Sequence, residues 1–382
     1  MKIAILCHNM HKAGGYVVGI NVVKCLKKAA SNHQFLLIAP IDSGYENIEL
    51  PCGSKVVFAD QHQSLLARWK FHKFRLPAII KDFGTDVVLG MANLVIIRPG
   101  CKQAMVLNNA HHVYSVKHYI RDRFLARIKK WFVTHELKRA LPYVDIVFCQ
   151  TPVTKKRFAD IFSYPEDKIR IMPSAVSEDL TKIKEGQVEV PEIFKQGQYF
   201  NMFYLTEYYA HKNLEILIKI FRSFPEKLKD VRCIITASPS QGHNAQVFFD
   251  NIKKYKLEKQ IVSMGYIEQK ELAGYFINSD AIFFPTLLES FSSTYLEAMH
   301  FKTPILTSDL DFAHYVCGEA AIYFDPWDIE DVVEKILLLK NNDKLKEELV
   351  NKGKERICRF FISWDKIVAD AIKELEILVD KG

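Results

Sequence analysis

The chain has 382 residues, 49% of them hydrophobic and 25% charged, with a net charge of +7. This is ordinary globular usage, so a disordered or fibrous polypeptide is excluded, and a prior of roughly 150 residues per domain predicts two or three domains, with two the working expectation. The positive charge is modest and concentrated in the first half; no nucleic-acid recognition motif accompanies it, so a nucleic-acid partner is not expected. Eight scattered cysteines form no C-x-x-C pair, and no histidines cluster at ligand spacing. A reducing cytosol and no structural zinc follow as expectations. Met1 to Cys7 holds only a four-residue apolar run, far short of an export signal. The most apolar window, Val87 to Ile97, is about half of what a bilayer-spanning helix needs.

Short apolar, β-branched runs bounded by turn residues alternate with longer amphipathic stretches, the pattern of βαβ units on a parallel sheet. In the first half, strands are expected at Lys2–Leu6, Phe35–Ala39, Lys55–Phe58, Asp86–Leu89, Ala104–Leu107, Asp145–Cys149 and Ile169–Met172. Directly after the first, "HNMHKAGGYVVGINVVKCL" sets Gly14 and Gly15 ahead of an amphipathic helix. Backbone amides there could approach a phosphate or a sugar; a plain turn is the other reading, and the full G-x-G-x-x-G series is lacking. "MVLNNAHHVY" ends the Ala104–Leu107 strand with Asn108, Asn109, His111 and His112 at the edge where α/β sheets bind ligands. Each histidine could equally be a packing or surface residue. His111 is the preferred of the two.

From Lys117 to Arg139 the chain interleaves Arg121, Arg123, Arg127, Lys129, Lys130, Lys138 and Arg139 with Phe124, Leu125, Ile128, Trp131 and Phe132, and "RWKFHKFR", Arg68 to Arg75, has the same character. Such segments suit peripheral contact with an anionic membrane. The alternative is a buried apolar face under a solvated charged one. Between Glu178 and Gln198 the periodicity lapses into charged, glycine-containing sequence, which marks the domain boundary. The expected division is 1–180, then 181–360, with a C-terminal helix in 361–382 packing back on the first domain.

The second series of strands is expected at Asn201–Leu205, Arg232–Ala237, Ile261–Met264, Ala281–Phe284, Ile305–Thr307 and Ala321–Phe324, followed by helices over Asp328–Lys340, Lys344–Arg359 and Trp364–Val379. Within it, "PTLLESFSSTYLEAMHFKTPILTS" carries Glu289 in a strand-to-helix loop and Glu297 inside the helix that follows. A helix start at Phe291, Ser292, Ser293 and Thr294 offers unpaired amides and a positive dipole end, which fit a diphosphate. Carboxylates beside a diphosphate repel it unless they face hydroxyl groups. Glu289 would then take the sugar's hydroxyls and Glu297 those of the ribose. The bland alternative makes Glu289 a dipole partner and Glu297 a solvated helix residue.

These residues resemble the signature of the family-4 (group 1) retaining glycosyltransferases: Glu289, then Ser290-Phe291-Ser292, Glu297, Ala298-Met299 and Thr303-Pro304. Two serines stand where that pattern has glycines, which is expected to narrow the loop's conformational choice. "YYAHKNLEILIKIF" resembles the segment carrying a donor-phosphate lysine, here Lys212. "MGYIEQKELAGYFINSDAIFFP" resembles the elements that bracket the base, with Gly265, Tyr266 and Ile267 lining it. "VCGEAAIYFDPWDIEDVVEKI" resembles the end of the second sheet. The likeness is strong over Phe203 to Ile336. Five residues before Lys212 the family has an arginine and this chain has Glu207, whose charge would oppose the phosphates unless it turns away and His211 or another cation compensates.

The resemblance implies an α/β architecture, the GT-B fold, with two Rossmann-like doubly wound domains facing a central cleft. It implies a glycine loop at Gly15 and a histidine, His111, facing the donor sugar; His111, Glu289 and Lys212 become the catalytic candidates. It implies transfer of a hexose-type sugar, with retention and without a metal or other cofactor, from a UDP- or GDP-sugar to a glycan or lipid-linked saccharide in cell-surface polysaccharide synthesis. The expected location is cytoplasmic, at the inner membrane face. A GT-B nucleotide-sugar epimerase and a degenerate non-catalytic subunit are the rival expectations.

Overall fold

The computed structural model describes residues 1–11, 13–60, 64–114, 124–176, 178–183, 188–360 and 362–381. The described residues fall into two compact units, one holding those up to Ser174 together with those from Ile362 onward, the other those between Ala175 and Phe361.

In the first unit the chain runs β1 (Lys2–Leu6), α1 (Ala13–Ala29), β2 (Gln34–Pro40), β3 (Lys55–Ala59), α2 (Leu65–Lys70), a π turn (Phe71–Arg75), α3 (Leu76–Phe83), β4 (Val87–Gly90), β5 (Lys102–Leu107), α4 (Phe124–Ala140), β6 (Ile146–Cys149), α5 (Pro152–Phe162) and β7 (Ile169–Ile171). Its seven strands are ordered β3-β2-β1-β4-β5-β6-β7, every pairing parallel. Strands β1, β4 and β6 are covered on both faces, and so read in the sequence as unbroken apolar runs. Local chemistry sets the helix ends. At α5, Thr151 Oγ1 accepts from the Thr154 amide at 3.0 Å and Thr154 Oγ1 from the Thr151 amide at 3.1 Å, with Pro152 in the first turn.

The second unit follows as α6 (Glu178–Thr181), β8 (Phe200–Tyr204), α7 (Glu215–Ser223), β9 (Val231–Ile235), α8 (His243–Lys254), β10 (Ile261–Ser263), α9 (Gln269–Asn278), β11 (Ala281–Phe284), α10 (Ser293–His300), β12 (Ile305–Ser308), α11 (Asp311–Cys317), β13 (Ala321–Phe324), α12 (Ile329–Lys340) and α13 (Asp343–Cys358). Its sheet is again parallel, in the order β10-β9-β8-β11-β12-β13. Helix α7 buries Ile216, Leu217, Ile220 and Phe221. Asp328 caps α12, accepting from the Glu330 amide at 2.9 Å.

The last helix, α14 (Trp364–Asp380), belongs to the first unit and packs against α1. It buries Trp364, Ile367, Val368, Ala371, Ile372 and Leu375, and each of the larger of these contributes roughly 1.5–3 kcal/mol of transfer free energy. Polar contacts fix it along its length: ion pairs of Lys28 with Asp365 and of Arg170 with Glu374 at 2.8 Å, and a hydrogen bond of His33 with Glu376 at 2.9 Å.

Each sheet reverses its winding once, between β1 and β4 in the first unit and between β8 and β11 in the second. Loops leaving the carboxyl ends of those strand pairs diverge to opposite faces and leave a crevice, the place where doubly wound folds hold ligands.

Candidate functional site

In the second unit the loops after β8 and β11, the two strands at the winding reversal, carry Lys212 and Glu289. Their side chains meet: Lys212 Nζ lies 2.5 Å from Glu289 Oε1, with the two side chains only 17% and 12% exposed. Thr286 Oγ1 donates to the same carboxylate oxygen at 2.9 Å. Several bonds hold the lysine's loop. Tyr204 Oη donates to the Lys212 carbonyl at 2.7 Å, the Leu287 amide donates to the His211 carbonyl at 2.7 Å, and Asn213 takes a left-handed conformation at φ 53° that turns the chain into α7. Lys212 Nζ also stands 5.3 Å from the centre of the Phe284 ring. Thr286 and Tyr204 were not singled out from the sequence; only the tertiary fold makes them neighbours of the pair.

Glu289 leads through buried Ser290, Phe291 and Ser292 into α10, where Ser292 is the N-cap residue and its hydroxyl makes no capping bond. The Ser290 and Ser292 backbones do not have positive φ. Both sit in conformations that any residue adopts, so the loop needs no glycine at either place.

Glu297 lies within α10 and is only 6% exposed. Burial raises its carboxyl to about 7, against the opposing pull of a hydrogen bond from the Ser293 side chain. The bland alternative of a solvated helix residue is thus overturned, because α10 turns this face toward the interior. A carboxyl buried with so little compensation is a marker of functional places.

Glu207 accepts a hydrogen bond from Tyr209 Oη at 2.9 Å. Tyr209 in turn stacks on His211, with ring centres 5.6 Å apart. In the loop after β10, Gly265 has φ +66°, Ile267 is buried, and Tyr266 stands 89% exposed. A left-handed glycine followed by a bare aromatic ring presents a flat apolar face to solvent.

In the first unit, Gly14 and Gly15 lie inside the first turn of α1, which corrects their expected place ahead of the helix. The helix begins at once because its opening amides lack intrahelical partners in any case, so glycine's helix penalty is small there. A Cβ on either glycine would meet nothing within 4 Å, so the backbone here is approachable. Asn93, at φ 62° in the loop after β4, accepts from the Asn108 and Asn109 amides at 3.0 and 3.2 Å, and Asn108 Oδ1 accepts from the Ala92 amide at 3.1 Å. These bonds tie the two loop ends together. Of the two histidines that follow, His112 is buried and His111 partly exposed, its amide held by Asn109 Oδ1 at 3.0 Å.

Large aromatic side chains described in the two basic stretches are exposed. Trp69, Phe74, Trp131 and Phe132 are 50%, 60%, 65% and 58% exposed, and Lys73 Nζ lies 4.5 Å from the Trp69 ring centre. Arg121 and Arg123 fall outside the described residues. Among the described residues no helix is long and apolar enough to cross a membrane, and no group of three or more His, Cys, Asp or Glu side chains is placed to hold a metal ion. None of the eight cysteines is paired in a disulfide.

Two parallel doubly wound sheets, with a lysine–glutamate pair at the winding reversal of the second, define a Rossmann-like ligand-binding enzyme architecture. Residues 189–356 match the family model described as glycosyl transferases group 1, the family that the motif around Glu289 resembles. O-antigen chain mannosyltransferase B of Escherichia coli is 20% identical over 248 residues, which cover 65% of this chain and 64% of that protein, so the chain spans somewhat under two thirds of that relative. Sucrose-phosphate synthase from Thermosynechococcus elongatus superimposes with a TM-score of 0.79 at 14% identity over 100% of both chains. The Anabaena protein HepE in complex with UDP-glucose does so with a TM-score of 0.75 at 13% identity, covering 98% of this chain and 100% of that one. The fold is GT-B.

Proposed function

We propose that the protein is a retaining glycosyltransferase that moves a hexose-type sugar from a UDP- or GDP-sugar to a glycan or lipid-linked saccharide in cell-surface polysaccharide synthesis, without a metal ion. The observation that carries this reading is the Lys212–Glu289 pair at the β8/β11 reversal, joined to the head of α10 that bears buried Glu297. A solved complex of HepE with UDP-glucose and the mannosyltransferase named among the relatives support a nucleotide-sugar donor.

In this mechanism an arriving diphosphate competes with Glu289 for Lys212. The ammonium passes to the phosphate oxygens, where it and the amides of Phe291 to Thr294 stabilise the charge that develops on the leaving group. Glu289, released, accepts from the sugar's hydroxyls, and Glu297 from those of the ribose. Tyr266 gives the base a stacking face above Gly265 and beside Ile267. In the first unit, His111 and Gly15 are the candidates that the family resemblance assigns to the sugar. Holding the acceptor hydroxyl against the anomeric carbon supplies much of the remaining acceleration. The exposed aromatics and basic residues of α2, the π turn and α4 rest on an anionic membrane at its cytoplasmic side.

The test is a thermal-shift screen of UDP-, GDP- and ADP-sugars, since a ligand at a hundred times its Kd stabilises the native state by about 2.7 kcal/mol. Calorimetry and transfer of labelled sugar to an acceptor lipid extract then follow, with Glu289→Gln as the inactive control. If no nucleoside diphosphate or nucleotide sugar stabilises the protein, the proposal fails.

A further inference from the structure

The winding reversal of the first unit carries chemistry that the donor reading leaves unused. Strand β1 stands at that reversal and its carboxyl end delivers His8 and then Asn9. The His8 ring lies 5.9 Å from that of His72 and 6.0 Å from that of Phe71, which it meets edge-on. Both neighbours come from the π turn Phe71–Arg75, a widened turn of the kind that recurs at functional places. His8 Nδ1 and His72 Nε2 are buried without a hydrogen-bond partner. Buried polar atoms are nearly always satisfied, so two such nitrogens beside each other want an explanation.

The surroundings say what would satisfy them. Burial first, then the charges of His72 and Arg68, hold the His8 imidazole down at about 3, and burial lowers His72 as well. Of these groups Arg68 carries the permanent positive charge, and the two lowered imidazoles are neutral near pH 7. Arg68, one helical turn before His72 and exposed, reaches Asn9 Oδ1 with Nη2 at 3.4 Å. The place therefore offers two neutral imidazoles, each able to turn one N–H donor inward, and a guanidinium at the rim. That set suits a compact multivalent oxyanion, which accepts several charge-assisted hydrogen bonds at once.

We infer that His8, His72 and Arg68 form a subsite for a phosphoryl group of the acceptor, carried by a phosphorylated saccharide or by a lipid phosphate. The inference rests on the first unit being the acceptor half of a glycosyltransferase, and gives that half a substrate class. The oxyanion accepts from imidazole N–H on His8 and His72 and from Arg68, whose bond to Asn9 it replaces.

The full chain, labelled with ¹⁵N at histidine, is titrated with inorganic phosphate, the His8 and His72 resonances being assigned from His8→Gln and His72→Gln. Both imidazole signals are expected to move along one binding curve, and Arg68→Ala to weaken phosphate binding about tenfold or more. Arg68 is exposed, so that variant keeps the test valid even where a histidine variant fails to fold. Displacement of phosphate by glucose 1-phosphate assigns the group to a soluble acceptor. Sedimentation with phosphatidic acid vesicles, but not with phosphatidylcholine vesicles, lost in His72→Gln, assigns it to a lipid. Histidine signals indifferent to phosphate, or equal phosphate affinity in Arg68→Ala, overturn the inference. UDP binding, measured in the same samples, reports separately on the donor reading.

Discussion

Replacing Glu297 by glutamine is expected to make the protein more stable and a poorer binder of its donor, and the two effects share one cause. Burial raises this carboxyl from its ordinary 4.5 to about 7. At about 1.4 kcal/mol per pH unit, the shift corresponds to roughly 3 kcal/mol of differential interaction between the protonated and charged forms. The sign follows from proton counting. Between about pH 4.5 and about 7 the folded protein holds a proton on Glu297 that the unfolded chain has lost, so stability falls as pH rises through that window and the full cost stands above it. Glu297→Gln removes the ionisation. It should therefore gain about 3 kcal/mol over the parent above pH 7, and little below pH 4.5. Urea unfolding across this range measures the difference. Donor binding runs the other way: ribose hydroxyls donating to the carboxylate favour its charged form, so nucleotide affinity of the parent rises with pH through about 7. In calorimetry the glutamine variant binds more weakly and without that dependence. If parent and variant lose stability in parallel as pH rises, Glu297 is not the titrating group and the argument is wrong.

Lys212→Ala should lower transfer about a hundredfold or more and destabilise the fold by about 3 kcal/mol, since it strands Glu289 with Thr286 alone. The double variant Lys212→Met, Glu289→Gln should recover the stability but not the activity, and recovery of both would remove the pair from the chemistry. Tyr266→Ala, at a side chain 89% exposed, should leave urea stability within about 0.5 kcal/mol while weakening nucleotide binding about tenfold through lost base stacking; unchanged binding would take the base elsewhere. Gly90→Ala places a Cβ 1.8 Å from the Leu94 carbonyl oxygen, an overlap that side-chain rotation cannot relieve, so a loss of roughly 3 kcal/mol is expected in denaturant titration.

Thirteen strands were legible in the sequence, because strands of a parallel sheet covered on both faces appear as short apolar runs bracketed by turn residues. "AIFF" between Asp280 and Pro285 is the clearest of them and became β11 without a shifted residue. Glu289 and Glu297 were legible as chemistry because a strand-to-helix loop is a recurring anion site. Their environments were not. That α10 buries Glu297 depends on which face of the helix the neighbouring elements cover, and a single helix turn of Tyr295, Leu296, Ala298 and Met299 leaves that face undetermined. The π turn at Phe71–Arg75 was equally silent, since no local pattern separates it from a continuous helix between Leu65 and Phe83.

The Lys212–Glu289 bond joins residues 77 positions apart, and no periodicity encodes it. It exists because β8 and β11 are neighbours in the sheet although β9 and β10 come between them in the chain. The same geometry answers the anomaly at Glu207. Read as charge along a sequence, a glutamate near the phosphate lysine predicts repulsion. In the fold its carboxylate is occupied by the Tyr209 hydroxyl, and Lys212 is neutralised by a different glutamate, one whose own hydrogen bonds suit sugar hydroxyls. In the proposed mechanism a diphosphate that takes Lys212 frees an acceptor where the sugar would need one, so one exchange of partners would serve both ends of the diphosphate–sugar linkage.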